Sequence, residues 1–196
     1  MRLPILPCLL SSVIVLAGGL QLAAAEAVVE DFTGEAKRTP VVFQEPEHAT
    51  IAVAAAPAGE PGKALAVDWH EWSKGYLDFA FGRNSAAPGL AGGVHGTIAV
   101  RLYLAPGTAL RSASLRLTDA GGETFQWPIT GELARSGWRT VLCAVDPASA
   151  TGHWGGDLNG RIDPPLHVAG FALSPLAPPP STGGIAIGAI STVTAP

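Results

Sequence analysis

This sequence predicts an all-β fold: an antiparallel β-sandwich of the jelly-roll kind. Three observations carry the prediction. Apolar residues recur at every second position in run after run, helical periodicity is nearly absent, and turn-forming segments separate the runs. The 24 glycines and 17 prolines among 196 residues supply those turns. About ten short strands divided in this way suit two packed antiparallel sheets.

The first 25 residues stand apart from the fold. Arg2 gives a small positive start, residues 5–20 are almost wholly apolar, and Ala23, Ala24 and Ala25 form a small-residue cleavage site. The run is broken by Pro7, Ser11, Ser12, Gly18 and Gly19 and is short for a bilayer span of ~20 residues, so a cleaved signal peptide is expected rather than an anchor. Residues 26–196 are then expected to form one β-sandwich domain, with export to the periplasm or the extracellular space. They carry 11 Lys and Arg against 16 Asp and Glu, a mildly acidic balance that argues against nucleic acid or anionic lipid as a partner. No second long apolar segment follows, so no membrane span is expected in the mature chain. Cys143 is the one cysteine left, which excludes an internal disulfide. It alternates in phase with Val141 and Val145, as a small core residue does.

The strands follow in order. Residues 28–32 open the sheet system and residues 50–55 form a second run, ended by the turn-rich segment 57–62. Residues 63–70 place Leu65, Val67 and Trp69 on one face, with Asp68 and His70 on the other. Residues 76–81 turn Leu77, Phe79 and Phe81 inward and Tyr76 and Asp78 outward. A loop of small residues is expected at 82–96. The cleanest alternation is at 97–104, where Ile98, Val100, Leu102 and Leu104 oppose Arg101 and Tyr103. Residues 112–119 repeat it, and a Gly121-Gly122 hairpin leads into 124–127. Further strands are expected at 138–145, 167–173 and 184–193, the last two separated by a proline-rich turn at 175–180.

Residues 153–165 are the most informative stretch. His153, Trp154, Gly155, Gly156, Asp157, Asn159, Gly160, Arg161 and Asp163 crowd a loop closed by Pro164-Pro165. Such a loop on a β-scaffold is where binding usually sits.

Several patches resemble the galactose-binding-like jelly rolls that serve as carbohydrate-binding modules of secreted glycoside hydrolases. Val29-Glu30-Asp31-Phe32 is similar to their acidic opening strand, and Gly62-Lys63-Ala64-Leu65-Ala66-Val67-Asp68 to their G-K-A-L strand. Gly75-Tyr76, Ser136-Gly137-Trp138-Arg139-Thr140-Val141 and the 153–165 loop add to the likeness. The resemblance implies recognition of a polysaccharide or glycan. It also implies a structural calcium, with Glu30 and Asp31 as first-strand donors, although the last strand offers no acid to complete the usual site. Calcium takes six to eight oxygens, so backbone carbonyls would have to substitute. The alternative is that both acids only keep an edge strand soluble.

A sugar site needs an aromatic plate flanked by planar polar groups. Trp72, Tyr76 and Trp154 are the expected plates; Asp78, Arg101, His153, Asp157, Asn159 and Arg161 are the expected polar partners. Asp68, His70, Tyr103 and Arg116 would join them if their strands share one sheet. The competing readings are an ordinary solvated face, a Trp154 that plugs the loop from beneath, and Asx turns at Asp157 and Asn159. Catalysis finds less support, because no nucleophile elbow, zinc-binding helix or phosphate loop occurs and the five histidines lack metal-ligand spacing. Two other functions stay open: a structural sandwich that binds a protein partner, and a small polysaccharide-processing enzyme.

Overall fold

The computed structural model describes residues 26–34, 40–86 and 95–193. The expected leader at 1–25 and residues 87–94 of the predicted loop lie outside them. Among the described residues twelve strands form: β1 (Glu26–Glu30), β2 (Val41–Val42), β3 (Ala49–Ala55), β4 (Lys63–Trp72), β5 (Leu77–Ala86), β6 (Gly96–Leu104), β7 (Leu110–Thr118), β8 (Glu123–Thr130), β9 (Gly137–Val145), β10 (Gly152–Gly155), β11 (His167–Pro175) and β12 (Ser181–Val193). Every pairing is antiparallel. Among the described residues no helix is long and apolar enough to cross a membrane.

The strands make two layers. A front sheet runs β2-β5-β11-β7-β8, with β10 added on the far side of β8. A back sheet runs β9-β6-β12-β4-β3, and β1 also pairs with β12. Strand β8 joins the two: residues 124–128 pair with β7, while Ile129 and Thr130 pair with Cys143 and Leu142 of β9.

The predicted phases hold. Leu65, Val67, Ile98, Val100, Leu102 and Ile187 from the back sheet meet Leu77, Phe79, Leu115, Phe125 and Phe171 from the front sheet in one buried core. Phe79 stacks on Phe171 at 5.8 Å, and Phe32 meets Phe81 edge-on at 5.4 Å, geometries that favour the aromatic quadrupole. Cys143 is buried in this core as expected, and burial pushes its thiol up to about 12.

Several strand ends shift by two or three residues, β4 running on through Trp72 among them, and three larger differences from expectation bear on the site. β5 continues through Ala86, because Ser85 and Ala86 pair with Val168 and His167 where a loop was predicted. β2 adds an edge that two residues could not announce by period. Residues 152–155, placed in the long loop, form β10 against β8.

Candidate functional site

The outer face of the front sheet is shaped by the size of its side chains. Cross-strand register sets them in rows. One row runs Asp78, Ala172, Ser114 and Pro128; the next runs Ala80, Gly170, Arg116, Gln126 and Gly152. A third runs His167, Thr118, Thr124 and Trp154. Small residues on β11 and β7 leave the middle low, while long side chains stand at the sides. The result is a groove of about 440 Å³ lined by Tyr76, Asp78, Ser112, Ser114, Arg116, Gln126, Ala172 and Ser174. From β2 to β10 there are five inter-strand steps, about 24 Å at the usual spacing.

Arg116 organises the polar floor. Its guanidinium pairs with the Asp78 carboxylate, donates from Nε to Gln126 Oε1 at 3.0 Å, and lies 4.8 Å from the centroid of the Trp154 ring. A planar fork can meet all three at once, which an ammonium cannot. Aromatic rings stand at both ends. Tyr76 is 49 % exposed, with its hydroxyl 3.5 Å from Gln44 Nε2, and Trp154 is 41 % exposed. Phe43, 56 % exposed, donates its amide to Asp78 O and by strand alternation shares this outer face.

Of the residues expected to bind, Tyr76 and Asp78 line the groove, and Trp154 stands beyond it with its ring against the Arg116 guanidinium. Trp72 does not belong there. It is fully buried, and its Nε1 donates to Tyr76 O at 3.0 Å, so the ring is core and braces the turn that presents Tyr76. Arg101 is also displaced. It lies on the back sheet with Tyr103, and with Asp68 and His70 on β4, so the single outward constellation divides between the two faces. There Arg101 makes a two-pronged ion pair with Glu60, 2.9 Å at each contact, and sits 5.4 Å from the Trp138 ring centroid. Those hydrogen bonds hold the Glu60 carboxyl below its ordinary range and the Arg101 guanidinium above its own.

The loop residues are engaged with one another. His153 bonds Glu123 on the inner side of β10. Asn159 Nδ2 donates to Asp157 at 2.6 Å and to Asp163 at 3.1 Å, and the Arg161 amide donates to Asn159 Oδ1 at 2.6 Å. Asp157, Asn159 and Arg161 therefore shape the loop and do not line the groove. Phe43, Gln44, Ser112, Ser114, Gln126 and Ser174 were not anticipated. The short apolar run after Pro40 was the one available signal for Phe43.

The two expected calcium donors sit where β1 ends. Glu30 is buried and accepts the Phe32 amide at 2.6 Å, whereas Asp31 is exposed and accepts the Thr33 amide at 2.9 Å. The pair thus alternates to different sides of the chain, and β12 contributes no carboxylate. Among the described residues, no three His, Cys, Asp or Glu side chains are grouped to hold a metal.

No protein-family model matches this chain, and no curated protein matches it. Solved structures do. A family 11 carbohydrate-binding module from Clostridium thermocellum, in complex with a β-1,3-1,4-mixed-linked tetrasaccharide, superposes with a TM-score of 0.57 at 15% identity, over 88% of this chain and 97% of that one. The family 11 module of the cellulosomal cellulase Lic26A-Cel5E of the same organism gives 0.53 at 16% identity, over 88% and 96%. A family 30 carbohydrate-binding module gives 0.54 at 9% identity, over 88% and 89%. At these identities the likeness is one of fold. The chain adopts the antiparallel β-sandwich of carbohydrate-binding modules, as its residues led one to expect.

Proposed function

We propose that this chain is an exported, non-catalytic carbohydrate-binding domain whose front-sheet groove holds a stretch of polysaccharide. The observation that carries the reading is the groove itself, with exposed rings at both ends of a low floor and one guanidinium–carboxylate–amide cluster between them. An aromatic face takes the apolar face of a sugar ring, and planar polar groups replace the water around its hydroxyls. Each such exchange nets only about 1 kcal/mol, so modest affinity is expected. The solved modules of like fold, one of them holding a tetrasaccharide, support the reading.

The groove lining contains one carboxylate, Asp78, already committed to Arg116. A glycosidase ordinarily needs two carboxyl groups across the bond it cleaves, which favours binding over turnover. Export rests on the apolar leader and its alanine cleavage site.

The test is affinity electrophoresis and titration calorimetry against a panel of soluble polysaccharides. At least one should bind the wild type. Tyr76→Ala and Trp154→Ala should each weaken that binding about tenfold with the circular dichroism spectrum unchanged, as the loss of one stacking contact implies. A blank panel with one stable protein copurifying would favour a protein partner, and release of reducing ends would favour an enzyme. Either result would reject the proposal.

A further inference from the structure

Strand β10 is the sequence Gly152-His153-Trp154-Gly155, and among the described residues it pairs with β8 alone, at the edge of the front sheet. Two of its four residues are glycines, so His153 and Trp154 supply its side chains. Consecutive strand residues face opposite ways. Trp154 lies opposite Thr124 on the groove side. His153 lies opposite buried Phe125 and stacks on its ring at 5.6 Å and 20°. A four-residue edge strand that sets an exposed indole against the Arg116 of the groove needs an anchor beyond its own ladder.

That anchor is a buried carboxylate. Glu123, the first residue of β8, is completely shielded from solvent. Its Oε1 bonds His153 Nδ1, and its Oε2 accepts the Gly160 amide at 3.1 Å. Beside it Asp119, also buried, accepts the Glu123 amide at 2.8 Å through one oxygen and the Asp163 amide at 3.1 Å through the other. A charge taken wholly out of water is costly unless both oxygens are partnered. The need of Glu123 for partners therefore selects one placement of His153. A slip of β10 by one residue would leave Oε1 of that carboxylate bare and would swap the faces of His153 and Trp154.

We propose that Glu123 and His153 are the positioning residues for Trp154. Their bond pins the register of β10, and so fixes where the indole stands over Arg116, how wide the groove is and which glycan shapes it accepts. The specificity part of this inference rests on the proposed carbohydrate-binding function; the register part does not.

Two variants separate the donor from the ring. His153→Phe keeps an aromatic on Phe125 and removes the donor to Glu123. His153→Asn keeps a donor at the place of Nδ1 and removes the ring. Amide hydrogen exchange is followed across the whole chain in each, together with affinity for the best-binding oligosaccharide. His153→Phe should speed exchange tenfold or more at residues 152–163 only, and should weaken binding about tenfold, as loss of a bond to a buried charge implies. His153→Asn should stay near wild type in both. In the His153→Phe/Trp154→Ala double variant the losses should not multiply, because both act through one ring.

Unchanged exchange in His153→Phe, or exchange raised evenly over all strands, overturns the clamp. Losses that multiply overturn the link to Trp154. A wild type that binds no glycan, or a Trp154→Ala variant that binds unaltered, removes the functional reading and the specificity part with it. The exchange measurement then still decides the register part alone.

Discussion

The tryptophans and the cysteine show how a single side chain's surroundings decide its role. Trp72 and Trp127 are fully buried, and each indole N–H finds a carbonyl inside, Tyr76 O at 3.0 Å and Asp146 O at 2.8 Å. A buried indole without such a partner is expensive, and Trp69, buried with its Nε1 unpartnered among the described residues, carries that cost. Trp154, flanked by Gly155 and facing Arg116, has no such pocket and remains available to a ligand. Cys143 is the converse case, a reactive group silenced by its setting. Burial lifts its thiol from 9.0 to about 12, so the folded state holds the proton that the unfolded chain gives up near pH 9. The sign follows: its contribution to stability is complete below pH 9 and declines as pH rises toward 12. Native protein at pH 8 should resist a thiol reagent such as dithionitrobenzoate, and the same sample in concentrated urea should release one equivalent of thionitrobenzoate from Cys143. Rapid release from the native protein would place this thiol outside the core.

Strands are held by their ladders, and ladders depend on how closely backbones can approach. At Gly170 the register of β11 shifts relative to both β5 and β7. A Cβ built there would lie 2.2 Å from Phe79 O and 2.9 Å from Ala80 Cα, both backbone atoms that cannot swing aside. Gly170→Ala should therefore cost about 1–3 kcal/mol, the usual range for overpacking, seen as a lower urea midpoint. A midpoint equal to wild type would show that β5 and β11 part without penalty. No sequence signal announced Gly170, because a glycine within an apolar run reads the same whether it merely fits or is required. Long strands were legible for the opposite reason. β6 and β7 carry four or five alternating positions each, and the phases of Ile98, Val100, Leu115 and Leu117 came out as read. β2 and β10 have two and four residues, too few for a period to emerge. The tail of β5 carries no apolar alternation, so only its pairing with His167 and Val168 marks it as strand.

At the scale of the molecule, the two faces of the sandwich are separate surfaces, and this is where the sequence was least able to speak. Period two says that Tyr76, Asp78, Arg101 and Tyr103 all point outward, but outward from which sheet depends on strand order. Strand order is set by contacts between residues far apart in the chain. Arg101 pairs with Glu60, 41 positions away, and Arg116 with Asp78, 38 positions away, each across its own face. The core layer between them is about 10 Å thick. Changes on opposite faces should then act independently, since uncoupled sites at that distance or more add in free energy. Arg101→Ala removes the ion pair with Glu60 and the contact with Trp138, and should lower the melting temperature slightly. It should leave glycan affinity within about twofold of wild type, the error expected of additive sites. Tyr76→Ala should do the reverse, weakening affinity while altering stability little, because its ring is half in solvent. In the double variant each effect should appear at its single-variant size. An affinity loss in Arg101→Ala approaching that of Tyr76→Ala would mean that the back sheet contributes to the site after all. A strained or shared core would then have to transmit the change from one face to the other.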